Sequence, residues 1–482
     1  MIAVRSWAAY RPAYRAEEMG IIAAWILSGE SGSIVGLPGC GRANLLGFLC
    51  HRPEALQSYF PFKAKPIALI PVDLNNLPSN DLSTLYRIFL RSFYGVCEHF
   101  DQTLQETIIT FFQENQGEQD PFVSQSALLE LLLAFQAQQV QVVLVLNRFD
   151  RFCQMSTPEM VNTLRGLRDS FKGHLTYIVG MRQEAAYLPD PATLGDMYEL
   201  VDSNVCWVGA MNEDDANNLI ARATHTASAY PNDVEVTTML ALSGSFPSLL
   251  RTICNWWLIT EDRPAESEWE ITLLAERSIQ HRLAKIWISL TQEEQFILSE
   301  LQRLQTRAKR ERAGNRKATN SSSKDFDKVF QDFTRLNEHT LARLAAKGVC
   351  DQIGTGWRVA GELLAAYIAT AEGRGRGKIW LDEETEEVYQ GPTPLKDLTS
   401  LERSILGFLI RHPRIRHTKT DLIISTWPDE LRRKGVSDSS LYQVILTLRR
   451  KIEPNPGEPH YLTTWRGKPE GGYQFFPEGR PG

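Results

Sequence analysis

No pair among the seven cysteines of this 482-residue chain is spaced C-x-x-C, and no apolar run approaches the length of a membrane span. The cysteines, at 40, 50, 97, 153, 206, 254 and 350, lie scattered among apolar neighbours. An odd, unclustered set fits buried thiols in a reducing cytoplasm better than disulfides or zinc. Apolar runs such as Val142–Leu146 and Leu131–Phe135 fall far short of the ~18 residues a bilayer crossing needs. Met1–Arg5 carries one basic residue with no long apolar stretch behind it. No signal peptide and no membrane partner are therefore expected. A large charge excess is also missing, since net −6 by itself names no partner. What is present is 43% hydrophobic and 10% aromatic residues, too much apolar surface for whole-chain disorder. At roughly 100–200 residues per domain, the length allows three or four globular units.

The charge is unevenly spread. Residues 411–482 carry 13 Lys/Arg against 8 Asp/Glu, leaving −11 on the first 410. A basic terminal module on an acidic body points to a local polyanion site.

Short β-branched runs alternate with amphipathic stretches over the first ~200 residues, which predicts a parallel sheet covered on both faces. Strands are expected at Ser33–Gly36, Ile67–Leu74, Val142–Leu146 and Leu175–Met181, with helices starting near Leu45 and over Asp81–Phe100. From Gly209 to Leu274 the pattern is all-helical, opened by Asn212-Glu213-Asp214-Asp215. A capping box, Thr291-Gln292-Glu293-Glu294, a helix over Leu336–Lys347 and hairpin character over Val349–Val359 make an inner winged-helix candidate. Within it, Arg303–Lys324 is rich in Arg, Lys, Ser and Asn and reads as a mobile insertion. Its first part, Arg303–Lys317, is net +6, and reads either as a non-specific nucleic-acid contact or as solvated charge. Ala371–Gly377 reads as a linker. The expected domains are thus 1–208, a helical lid 209–275, an inner winged helix 276–370, a linker 371–377 and a terminal module 378–482.

Gly36-Leu37-Pro38-Gly39-Cys40-Gly41-Arg42-Ala43 follows a strand and opens a helix. It has the frame of G-x-x-x-x-G-K-[ST], whose glycines let backbone N–H groups cradle phosphates at a helix N-terminus. Arg42 replaces the lysine, and Ala43 has no hydroxyl for Mg²⁺. The companion strand, Val142–Leu146, leads into Asn147-Arg148-Phe149-Asp150, with Asn147 in place of a metal-orienting Asp and Arg148 in place of a water-polarising Glu. Phosphoryl transfer depends on metal and electrostatic positioning, so these losses predict no hydrolysis.

Residues 1–370 resemble a STAND-type P-loop ATPase, a branch of the AAA+ superfamily. Arg11-Pro12-x-Tyr14-Arg15 matches an adenine-side segment, Leu175–Arg182 a sensor strand, and Ser243-Gly244-Ser245-Phe246-Pro247 the G-x-P element. The resemblance implies a vestigial nucleotide site of Gly36, Gly39, Gly41, Arg42, Asn147, Asp150, Arg182 and Pro247. Arg182 reads equally as a sensor or arginine finger and as a surface cap of its strand. Pro247 reads as an adenine contact or as structural punctuation. No cofactor is required on this reading; the surviving backbone donors and Arg42 leave ATP or ADP binding open, without Mg-dependent hydrolysis. AAA+ platforms commonly assemble, so self-association or a protein partner, an intact AAA+ ATPase among the candidates, is expected.

In the terminal module, Leu401, Ile405, Phe408 and Leu409 mark one helix, opened by the capping box Thr399-Ser400-Leu401-Glu402. Leu422, Ile423 and Trp427 mark a second, and Leu441, Ile445, Leu448 and Ile452 the seam of a third over Asp438–Ile452. The third helix presents Ser439, Gln443, Thr447 and Arg450 opposite that seam, flanked by Arg449 and Lys451. Such a face can enter a major groove and clamp its phosphates. The stretch resembles the OmpR-type effector domain. Leu448-Arg449-Arg450-Lys451-Ile452 matches its L-R-x-K-[LI], and Thr464-Trp465-Arg466-Gly467 with Gly472-Tyr473 its wing, lengthened by Lys468-Pro469-Glu470-Gly471. The resemblance implies double-stranded DNA as partner, held by Ser439, Gln443, Thr447, Arg449, Arg450, Lys451, Thr464, Arg466 and Lys468.

The fold class expected is therefore an α/β P-loop (AAA+/STAND-like) domain with a helical lid, an inner winged helix and a C-terminal OmpR-type winged helix-turn-helix. The function expected is a cytoplasmic, DNA-binding regulatory or adaptor protein on a catalytically dead platform. Two other classes stay open: an active ATP-dependent switch using Arg42, and an adaptor whose winged helices bind protein. Transcription, genome defence and mobile-element roles are not distinguished by the residues.

Overall fold

The computed structural model describes the chain except residues 1–6, 62–64, 189, 228–229, 315–328, 355, 375–376, 383–386, 391–392, 396, 429–434, 454–455, 458, 468–469 and 480–482. It divides into two compact units, 1–289 with 343–349, and 290–342 with 350–482.

Five strands form the sheet of the first unit: β1 (Gly32–Val35), β2 (Ile67–Asp73), β3 (Gln141–Asn147), β4 (Leu175–Met181) and β5 (Val205–Trp207). All pair in parallel, in the order β2-β3-β4-β1-β5. Every residue of β4 is buried, as a strand covered on both faces requires. The sheet is the parallel α/β arrangement expected from the sequence, with the glycine-rich segment 36–43 running from β1 into the helix Arg42–His51. Its register matters most for function. Val35 pairs with Met181 and Asp73 with Asn147, so the C-terminal ends of β1, β3 and β4 lie at one edge. The segments that follow them, 36–43, 147–150 and 182, therefore emerge together. Open α/β sheets bind ligands at such an edge.

The helix Arg42–His51 packs on β2, β3 and β4 and buries Leu45, Leu46, Phe48 and Leu49. Burying side chains of this size contributes about 1.5–3 kcal/mol each. The helix expected over 81–100 is shorter, Leu82–Tyr94, with Asp81 accepting from the Thr84 N–H. The chain turns at Gly95, and a 3-10 turn follows at Cys97–His99. The lid runs through Glu213–Thr224, Asp233–Ser243, Pro247–Ile259 and Trp269–Ala275. Residues 277–288, assigned from sequence to the inner winged helix, instead form a helix packed on Pro247–Ile259 and Trp269–Ala275 within the first unit. Ile279, Leu283 and Ile286 are buried there, a lid-type seam that periodicity alone could not allot to either neighbour.

In the second unit, Thr291 and Glu294 cap each other reciprocally at the start of the helix Gln292–Gly314. That helix corrects the reading of 303–324 as an insertion throughout, since the backbone stays helical to Gly314. The run holds no Pro, and its only Gly is the last residue; its Gln, Arg, Lys and Glu are good helix formers. Residues 315–324 lie outside the described residues. The linker expected at 371–377 is also partly helical, because the helix Glu362–Arg374 runs into it. The hairpin β6 (Cys350–Ile353) and β7 (Gly356–Val359) follows expectation.

The terminal module begins with β8 (Ile379–Leu381), β9 (Val388–Gln390) and β10 (Thr393–Pro394), an antiparallel sheet. The helices Ser400–Arg411, Lys419–Thr426 and Asp438–Ile452 enclose a core of Ile405, Leu409, Leu422, Leu441, Ile445, Leu448, Ile452 and Phe475. A second sheet sets β11 (Arg416–Thr418) and β12 (Leu462–Trp465) either side of β13 (Gly472–Phe475). Gly472 is dictated by that pairing: a Cβ there would lie 1.9 Å from the His417 carbonyl oxygen.

Candidate functional site

Gly39 and Gly41 take φ of 93° and 94°, the left-handed region that lets the loop curl back on itself. A Cβ on Gly39 would lie 2.2 Å from Ser248 Oγ, and the Ser248 N–H donates to the Gly39 carbonyl at 3.1 Å. Pro247 and the Tyr14 hydroxyl stand over Gly41. The lid helix and the N-terminal segment thus both close on the phosphate loop. Tyr14 packs edge-on to Tyr10 and Phe48, and burial pushes its pKa up to about 12.

Arg15 is the hub behind the loop. Only 2% exposed, it donates to the carbonyls of Cys40 (3.0 Å), Gly209 (2.9 Å) and Ala210 (2.8 Å) and to Glu18 (2.8 Å). Its own N–H donates to Asp215 at 2.9 Å. One side chain therefore ties the N-terminal segment, the phosphate loop and the end of β5 together.

At the far side of the loop, Arg42 sits with Nε and Nη1 buried and no acceptor in hydrogen-bond range. Asn147 Oδ1 and Asp150 Oδ1 are buried without a donor. Arg182 Nε stands 3.8 Å from Asp150 Oδ2. Arg148 is held at φ 60°, left-handed for a non-glycine residue. Burial lowers the pKa of Arg42, and repulsion from Arg182 and Arg148 adds to this against the attraction of Cys40 and Asp150. Ala43 is exposed and offers no ligand atom. Among the described residues, no group of three or more His, Cys, Asp or Glu side chains could hold a metal ion.

In the terminal module, Ser439, Gln443, Thr447 and Arg450 are exposed along one face of the helix Asp438–Ile452, opposite its buried seam. Arg466 is exposed on the wing. Arg449 and Lys451 depart from expectation. Arg449 donates through Nε (2.9 Å) and Nη2 (2.6 Å) to the Leu462 carbonyl and through Nη2 to Thr464 Oγ1 (2.9 Å), over the Tyr473 ring. Lys451 donates to Glu402 Oε2 (2.6 Å) and the Asp397 carbonyl (2.7 Å). Both cations hold the module together rather than standing free, because helix rotation turns positions 449 and 451 toward the wing and the first helix. Thr464, though exposed, is engaged by Arg449. Lys468 lies outside the described residues.

Residues 394–475 match the family described as Transcriptional regulatory protein, C terminal. The module is a winged helix of the OmpR type. Protein PetR of Rhodobacter capsulatus is 33% identical over 104 residues, 21% of this chain and 42% of PetR's length. Among solved structures, the Aeropyrum pernix ORC2 protein is similar at 15% identity and TM-score 0.33, over 74% of this chain and 91% of that one. The Walker-type ATPase PABY2304 of Pyrococcus abyssi is similar at 13% identity and TM-score 0.42, over 74% and 95%.

The winged helix carries contacts that sequence reading missed. Glu470, in the lengthened wing, accepts from the Thr420 N–H (3.1 Å) and hydroxyl (3.0 Å) at the start of the helix Lys419–Thr426. Lys419 pairs with Asp438 at 2.6 Å. Arg416 lies over the Trp465 ring, and Tyr442 is 54% exposed on the third helix. Of these, only Tyr442 had a sequence signal, its offset from the Leu441 seam.

Proposed function

We propose that this chain is a double-stranded-DNA-binding regulatory or adaptor protein whose AAA+-like platform does not hydrolyse ATP. The observation that carries the DNA reading is the exposed row Ser439, Gln443, Thr447 and Arg450 beside Arg466 on the wing, in a module matching a transcriptional-regulator family. Short polar groups would read base edges, and the arginines would hold phosphates. The inactive-platform reading is supported by Ala43, Asn147 and Arg148 at the metal and water positions. The platform would then serve assembly, by self-association or with a protein partner such as an intact AAA+ ATPase.

The test is duplex affinity across a salt series for the parent and for Arg450→Ala/Arg466→Ala. The double variant should lose about 2–4 kcal/mol, with the salt slope flattened by about two units. Superimposed curves, or no binding by either protein at low salt, would make the module a protein-contact domain.

A further inference from the structure

The P-loop fold implies a magnesium ion beside bound phosphates, and the residues at this sheet edge do not fit one. Magnesium demands near-octahedral oxygen ligands, drawn from carboxylates, hydroxyls and phosphates. Here position 43 is alanine, Asn147 offers a neutral amide, Asp73 at the end of β2 accepts from the Asn75 N–H, and Asp150 faces Arg182 at 3.8 Å. Arg42 feels the charges of Asp150, Arg182 and Arg148, and each of the three arginines repels a dication.

The same groups suit a polyanion. Arg42 has two buried donor atoms without an acceptor, on the first residue of a helix whose N-cap, Gly41, supplies no side-chain acceptor. Asp150 opposes an anion, but against it stand the three guanidinium groups of Arg42, Arg148 and Arg182, which leave these four side chains at net +2. The helix start adds the positive end of its dipole. Arg148 occupies a left-handed conformation that costs an L-residue about 1–2 kcal/mol. Strain of this kind is kept where surrounding structure enforces it, often at ligand sites. Arg182, with its side chain 64% exposed, stands 3.8 Å from Asp150 at the same edge.

We propose that this edge binds a polyphosphate without magnesium, the guanidinium groups of Arg42, Arg148 and Arg182 supplying the charge that the metal supplies in hydrolysing relatives. The site rests on the reading that the platform keeps its phosphate cradle without catalysis. The shared chemistry is a chain of phosphates, whether carried by a nucleotide or free.

The experiment measures binding to the full-length protein by calorimetry, with ATP, inorganic tripolyphosphate and adenosine as separate probes, each in EDTA and in excess Mg²⁺. ATP or tripolyphosphate should bind in EDTA and bind more weakly in Mg²⁺, while adenosine does not bind. Equal affinity for the two phosphate probes would assign the ligand as any polyphosphate, and preference for ATP as a nucleotide. Arg148→Ala/Arg182→Ala, both at exposed positions, should weaken metal-free binding about 10- to 100-fold with an unchanged circular dichroism spectrum. Arg403→Ala, an exposed arginine of the terminal module, should leave it unaltered. Binding that needs Mg²⁺, no phosphate binding in EDTA at millimolar concentration, or parental affinity in the double variant would overturn the proposal. ATP turnover in the same samples separates the two readings. Steady Mg-dependent hydrolysis defeats the inactive-platform reading, whereas absent turnover with absent metal-free binding defeats the polyphosphate site alone.

Discussion

Two arginines adjacent in sequence do different work in the third helix of the winged module. Arg450 is exposed, whereas Arg449 spends its donors on Leu462 and Thr464. Arg449→Ala should therefore act first on stability, costing about 1–3 kcal/mol because the Leu462 carbonyl loses a charged donor. Denaturant unfolding of the parent, Arg449→Ala and Arg450→Ala would check this. An Arg450→Ala loss as large as that of Arg449→Ala would contradict it. His417 provides a pH test at the same scale. It is 8% exposed, its Nε2 makes no hydrogen bond, and its ring packs near Phe408 and His412. Burial lowers its pKa below the ordinary 6.5, with His412 adding repulsion against the attraction of Asp421 and a backbone hydrogen bond with His412. The unfolded chain thus takes up this proton first as pH falls. The stability it confers is complete above pH 6.5 and is lost as pH drops through the folded value. Unfolding midpoints taken from pH 8 to pH 5 should fall for the parent and fall less for His417→Gln.

Between elements, the lengthened wing reaches back to the helix Lys419–Thr426. Glu470 accepts the Thr420 N–H and hydroxyl, and Lys419 is paired with Asp438. A helix N-terminus beside an exposed recognition face is a natural seat for a DNA phosphate. A carboxylate already there competes with it. Glu470→Gln should raise duplex affinity several-fold and steepen its salt dependence, read by the same titration. An unchanged or lower affinity would mean that Glu470 only fixes the wing. The third helix offers a contrasting expectation. Leu448 is fully buried between Ile445 and Ile452, and Leu448→Ala should cost about 2–5 kcal/mol. Thermal unfolding followed by circular dichroism would measure it.

For the whole chain, the proposed separation of DNA contact from an inactive platform predicts a kinetic result. Purified protein should hydrolyse ATP no faster than background, and Arg42→Ala should leave that rate unchanged. Steady turnover that vanishes in Arg42→Ala would make the chain an active switch. Light scattering over a concentration series addresses assembly. A monomer at every concentration, with no co-purifying protein, would count against a platform role.

Local rules made much of this chain legible from its residues. Gly39 and Gly41 are needed wherever a loop must turn through positive φ, and both do so. The pairs Thr291/Glu294 and Thr399/Glu402 cap helices because three-residue spacing places each side chain on the other's N–H. The seam Leu441, Ile445, Leu448 and Ile452 fixed the rotation of its helix through a 3.6-residue period. Periodicity could not allot residues 277–288 to lid or winged helix, because a buried seam looks alike against either neighbour. Nor could it say which cations stay free. Arg449 meets a carbonyl 13 residues on, Lys451 a carboxylate 49 residues back, and Glu470 a threonine 50 residues away. Those partners meet only when the folded backbone brings them together, so the sequence named the charged groups and tertiary packing decided which remained available.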